Sequence, residues 1–167
     1  MKKNVFLGII GVLILFYGCG TMGGLQEAVT YSEVVNVSGS TANDLYVKIN
    51  MWFVDAFRKA DSVIQFSDKD SGIIKGKYIS PNNIVWGTDY YRISSIITVE
   101  ARDERYRISF SDPLCRPIGS VLGGNYNGMV YPEGNLKNQE MADKVIAEWK
   151  KITKDLKNSL NTAQSDW

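Results

Sequence analysis

A chain of 167 residues is long enough to bury the core of one domain, and 19 Lys+Arg against 18 Asp+Glu leave it too evenly charged to present the basic stripe that nucleic acid needs. It has no histidine, which excludes Ser-His-Asp and Cys-His catalysis and the common His-containing zinc sites, while carboxylate, Lys or Tyr chemistry stays open. Its two cysteines, Cys19 and Cys115, exclude a disulfide framework.

The first element is a short basic start, Lys2-Lys3, followed by 13 residues from Val5 to Tyr17 that are apolar apart from Gly8 and Gly11. As a helix this run is roughly 20 Å long, short of the ~30 Å hydrocarbon core that a membrane span must cross. It has the length of a signal-peptide h-region. Leu15-Phe16-Tyr17-Gly18-Cys19 resembles the lipobox of bacterial lipoproteins, in which a small residue precedes the cysteine that is diacylated and becomes the new N-terminus. Here Phe16 stands where that family usually has Leu. The resemblance implies a signal peptide over 1–18, a lipid on Cys19 and a protein held at the cell envelope, on its periplasmic or surface face. A plain secretory signal cut near Gly20 and an uncleaved anchor are the alternatives. Removing residues 1–18 takes Lys2 and Lys3 away and leaves 149 residues at net charge −1.

Residues 19–30 are Gly-rich and weakly patterned, as a flexible tether would be. The expected domain spans 31–162, and 163–167 form a polar tail. Val34 to Val37 is β-prone and predicts a first strand. Thr41 with Asp44 three residues later predicts a capping box and a helix. Leu45, Ile49, Trp52, Phe53, Ala56 and Ala60 share one face of it. Val47, Met51 and Val54 widen that face, which predicts a deeply packed helix. Trp52 and Phe53 read as core and not as a cofactor-stacking pair.

Four strands are predicted next, over 62–67, 72–79, 90–102 and 105–111. Asp68 to Gly72 is a turn between the first two, and Ser80-Pro81-Asn82-Asn83 ends the second. In the third, Tyr91, Ile93, Ile97, Val99 and Ala101 point one way and Arg92, Ser94, Thr98, Glu100 and Arg102 the other. The fourth continues with Tyr106, Ile108 and Phe110 inward. One buried and one wet face is the pattern of an antiparallel sheet covered on one side. Residues 112–138 are rich in Gly, Pro and Asn and read as a long loop. A last helix over 138–158 carries Met141, Val145, Trp149, Ile152, Leu156 and Leu160 on one face, with Glu140 and Lys144 as an i,i+4 pair. The expected fold class is α+β: a two-layer β-α-β-β-β-β-α domain of about five antiparallel strands with both helices on one face.

Two blocks carry a family resemblance: Phe66-Ser67-Asp68 with Gly72-Ile73-Ile74-Lys75-Gly76-Lys77, and Ile97 to Phe110. Over roughly 31–111 the chain resembles a family of bacterial lipoprotein domains of unknown function with a TATA-binding-protein-like fold. The resemblance implies that fold and assigns no catalytic residue; the fold name describes shape and implies no DNA binding. In the family the second hairpin often turns on Asp-Gly, whereas here Asp103 is followed by Glu104, which predicts a different turn type.

Candidate sites are few. Asp68-x-Asp70 with Gly72 is like the start of a calcium loop, but its twelfth position is Ile79 and not Glu, so it reads as a turn. Lys75, Lys77, Arg92, Arg102, Arg105 and Arg107 read as a solubilising sheet face, with an anionic partner as the sharper alternative. The best binding candidate is the 112–138 loop with Arg116, Tyr126, Met129 and Tyr131, joined by Trp86; adaptable aromatics among Gly and Asn suit contact. The alternative is that these aromatics cap the core. Cys115 reads as a small buried hydrophobe. The leading expectation is a non-enzymatic lipoprotein domain, without cofactor or metal, that binds a protein, a glycan or a small apolar ligand, with the space between helices and sheet as one place for it. A carboxylate enzyme acting on glycan, drawing on Asp68, Asp70, Asp89, Glu100 and Asp103, is the second; a passive component of an envelope complex is the third.

Overall fold

The structure, a computed structural model, describes residues 28–57, 63–126 and 131–162. The expected signal peptide, Cys19, most of the tether, Ala60, Met129 and the 163–167 tail lie outside these residues. The elements run β1 Tyr31–Asn36, α1 Ala42–Ala56, β2 Ile64–Asp68, β3 Ile73–Ile79, β4 Ile84–Trp86, β5 Asp89–Arg102, β6 Arg105–Ser120, β7 Gly124–Asn125, β8 Gly134–Asn135 and α2 Gln139–Thr162. All strands join one antiparallel sheet with the main order β1-β6-β5-β3-β2.

The β5–β6 hairpin is the spine. Its two outer edges are each covered in relay. Along β5, β3 pairs with 94–100 and β4 with 89–91. Along β6, β1 pairs with 105–110, β8 with 114–115 and β7 with 119–120. Odd positions of β5, from Tyr91 to Ala101, are buried under both helices, as their alternation predicts. Phe110 stacks on Trp149 of α2 at 5.3 Å, and each buried indole finds an acceptor: Trp149 Nε1 donates to Ser95 Oγ at 3.2 Å and Trp52 Nε1 to Asp155 at 2.8 Å. Lys157 and Glu33 form an ion pair that ties α2 to β1.

Helix α1 starts where its cap predicts. Thr41 Oγ1 accepts from Asp44 N at 3.1 Å, and Asp44 accepts in return from Thr41 N. Asp103 on the β5–β6 turn adds a second cap by accepting from Ala42 N at 2.8 Å. Glu104 beside it takes φ 61, and its N–H donates to Ser40 O. The turn therefore has positive φ at its second residue alone, unlike the primed turns of Asp-Gly hairpins. We predict that Glu104→Gly raises stability by about 1 kcal/mol, by removing the Cβ strain of the left-handed region. Urea unfolding measures it; a loss would mean that the Glu104 carboxylate's contact with Gly39 N outweighs the strain.

Four expectations need correction. Val47, Met51 and Val54 are exposed, because at 100° per residue they lie opposite the Leu45–Ile49–Trp52 stripe, and α1 is the outer layer of two. Residues 112–120 are strand and not loop. Pro113 sits at a bulge, and Pro117 lies where β6 has no outer-edge strand partner among the described residues, so each missing N–H costs little. Trp86 lies in a strand, β4, which the Ser80–Asn83 break hid by leaving it only three residues. Among the described residues the sheet accordingly has eight strands and not about five.

Candidate functional site

Asn82 and Asn83 turn the chain from β3 into β4 and leave a cleft of about 420 Å³ against α2. Its apolar floor comes from Ile84, Ile93, Val145 and Trp149, and its polar wall from Tyr78, Ser80, Asn82 and Glu148. Each position follows from the local period. Tyr78 ends the inward face of β3, Val145 and Trp149 belong to the core stripe of α2, and Glu148 lies beside that stripe.

Glu148 is the centre of the wall. Its Oε1 accepts from Tyr78 Oη at 3.2 Å, from Asn82 Nδ2 at 3.3 Å and from Ser80 Oγ at 3.4 Å. Among the described residues no donor is recorded on its Oε2. Burial, then the Glu148 charge, push the Tyr78 hydroxyl far up, so it stays a protonated donor throughout the accessible pH range. Lys144 and Lys151 edge the cleft one turn above and one below Glu148, and Lys144 pairs with Glu140 at 2.7 Å as its spacing predicts. The arrangement suits a small molecule with an apolar body and a hydrogen-bond-donating end.

The residues singled out from sequence fall elsewhere. Tyr126 and Tyr131 meet at 5.3 Å, and Tyr126 Oη donates to Asp89 at 3.0 Å, which raises its pKa. Trp86 packs edge-on to buried Tyr91 at 6.1 Å. Arg116 is on β6 opposite Arg92. Trp86 and Arg116 are thus strand residues, and Tyr126 and Tyr131 lie between β7 and β8, around the far half of the hairpin. Glu133 comes over the open sheet face. It accepts from Lys77 at 3.2 Å and Ser94 at 3.1 Å, which covers Ser94 although its position in β5 points outward. Glu133 is partly desolvated, but these two hydrogen bonds outweigh that and hold its carboxyl below the usual value.

Four of the five acids considered for catalysis are engaged in the fold. Asp68 accepts from Asp70 N at 3.1 Å within its turn, as the turn reading expects, Asp89 holds Tyr126, Glu100 pairs with Arg107, and Asp103 caps α1. Cys115 is buried and donates to Asn135 O at 3.1 Å; burial pushes its thiol up. Sequence reasoning missed Tyr78, Ser80, Asn82 and Glu148. The one signal was the Lys144–Glu148–Lys151 flank at i, i+4, i+7 beside the core stripe of α2.

Residues 31–114 match the model of a domain family of unknown function with TBP-like fold, DUF4468. A crystal structure of a TBP-like protein from Parabacteroides distasonis is similar at TM-score 0.63 and 16% identity, over 84% of this chain and 97% of that one. A DUF4468 family protein from Bacteroides ovatus is similar at TM-score 0.49 and 13% identity, over 86% of each chain. No curated protein matches the chain.

Proposed function

Because this chain belongs to the DUF4468 family of TBP-like domains, whose description assigns no activity, we propose that it is an exported lipoprotein domain, tethered through Cys19, that binds a small ligand in the cleft between α2 and the β3–β4 junction. The observation that carries the binding reading is the cleft itself. It is within the size range of ligand sites, has an apolar floor, and places one carboxylate by three neutral donors. The ligand class that fits is a molecule with an apolar body and an ammonium or hydroxyl end for Glu148 Oε2. A glycan-cleaving reading is less favoured. Glu148 is the one carboxylate in the recorded lining, and the two-carboxylate mechanism needs a second roughly 5–9.5 Å away.

Native mass spectrometry of protein taken from its own envelope tests the binding. The wild type should retain a small molecule and Ala147→Trp, which fills the cleft from an exposed position, should not. Equal retention by both, or by neither, would overturn the cleft reading. The tether is tested separately by metabolic acyl labelling, with label on the wild type and none on Cys19→Ala; an unlabelled wild type would remove the tether while leaving export standing.

A further inference from the structure

The far end of the β5–β6 spine is formed by two turns side by side, Gly87–Thr88 between β4 and β5 and 121–123 between β6 and β7. Thr88 O accepts from both Val121 N and Ser120 Oγ at 2.8 Å, so the turns form one unit. Around it lie Val85, Trp86, Tyr90, Val121 and Leu122, all exposed, with Leu122 exposed to 81%. Trp86 rests on buried Tyr91, whereas Val121 and Leu122 stand on the turn itself, Leu122 the most exposed of the five. Large apolar side chains left exposed together at one end mark an interaction site.

We propose that this tip is a membrane-contacting surface that seats the domain on the bilayer. The direction of the chain argues for a lipid occupant. β1 is antiparallel to β6, with Asn36 opposite Arg105 and Tyr31 opposite Phe110. Going back along β1 therefore moves the same way as going forward along β6, and the N-terminal segment leaves the sheet toward the tip. From Phe110 to Ser120 the strand advances about 33 Å. The segment 19–30, fully extended, reaches up to ~40 Å. A bilayer that holds Cys19 lies within reach of Leu122. This step rests on the tether proposed above.

The chemistry of the tip agrees. Trp and Tyr settle at the headgroup level, and Val and Leu at the acyl boundary beneath it. Arg116 behind the tip acts on Glu133, and the five exposed side chains of the tip carry no charge, so attraction to anionic lipid is not the driving force. The contact is apolar and insensitive to salt. Alone it is weak; a tether raises its effective concentration at the surface.

The test is a nitroxide at Leu122→Cys in the full chain. The protein is purified from its envelope and reconstituted in vesicles of phosphatidylethanolamine with a minority of phosphatidylglycerol. Cys115 is buried and an acylated Cys19 has no free thiol, so neither competes for the label; Leu122→Cys on a Cys19→Ala background is labelled alongside to cover an unacylated Cys19. Asn36→Cys, exposed at the opposite end of the sheet, is the reference. The Leu122 label should lose collisions with a water-soluble nickel reagent and gain them with oxygen, unchanged at high salt, while the Asn36 label stays in water. Equal water access at both positions would overturn the proposal. So would a Leu122 label that stays in water on vesicles yet crosslinks to a protein in intact envelopes, which would make the tip a protein-docking surface. If Cys19 takes up no acyl label but Leu122 still enters the bilayer, the tether falls and the contact stands.

Discussion

Trp149→Ala is expected to lower the free energy of unfolding by about 3–5 kcal/mol, the range for deleting a fully buried large aromatic. Trp149 is 1% exposed and stacks on Phe110 with the rings 10° from parallel. Removing it takes away that stack and leaves Ser95, itself buried, without its indole donor. A domain with a total stability of about 5–15 kcal/mol loses a large share of it. Trp149→Phe keeps most of the stack and should cost roughly half as much. Urea unfolding of both variants gives the comparison. A loss below about 1.5 kcal/mol for the alanine variant would mean that α2 is not the lid of this core. Trp149 is also the cleft floor. The phenylalanine variant, still folded, should therefore retain ligand less well than the wild type and better than Ala147→Trp.

The second large effect is predicted at Gly72, with Gly39 as its measure. Both have positive φ, 70 and 76. A Cβ on Gly39 would meet nothing within 4 Å, whereas one on Gly72 would sit 2.6 Å from Ala101 O. The two backbones are that close because Ala101 N donates to Gly72 O at 2.8 Å, across the sheet from the β2–β3 turn. Gly39→Ala should cost about 1 kcal/mol, for conformation alone. Gly72→Ala adds a backbone clash that neither strand can relieve without losing that hydrogen bond, and should cost about 3 kcal/mol. Equal thermal shifts in the two variants would show that the clash relaxes freely.

The strong periodicities were legible because they report local geometry. The Met141–Leu160 stripe, the Thr41–Asp44 cap and the odd positions of β5 each need only a period or a spacing to be read, and the structure has all three. Residues 112–120 were not legible. Pro113, Pro117 and Gly119 punctuate the sequence as a loop does, while what makes them a strand is the partner β5 opposite and the gaps in the outer edge. The outward stripe of α1 failed for a related reason: apolar residues all around a helix say nothing of how many layers cover it. The cleft needs contacts across 66 to 70 residues, between Glu148 and the Tyr78–Asn82 segment, which no local pattern carries. Ser80-Pro81-Asn82-Asn83 was correctly a chain break and also the wall of the cleft. Trp86 belongs to a strand end and not to a loop.

The relay along β6 bears on the order in which the sheet is completed. The β5–β6 hairpin closes over the two residues Asp103 and Glu104 and can zip from there. β1 is made first yet pairs only with Arg105–Phe110, far downstream. It must wait, with Val34-Val35 in an open strand, until the hairpin has formed and Glu104 has met the Val37–Ser40 turn. β1 thus joins the sheet only after the first half of β6 has been made. For as long as residues up to Phe110 are still being delivered, its unpaired edge is a segment that must be kept from other chains.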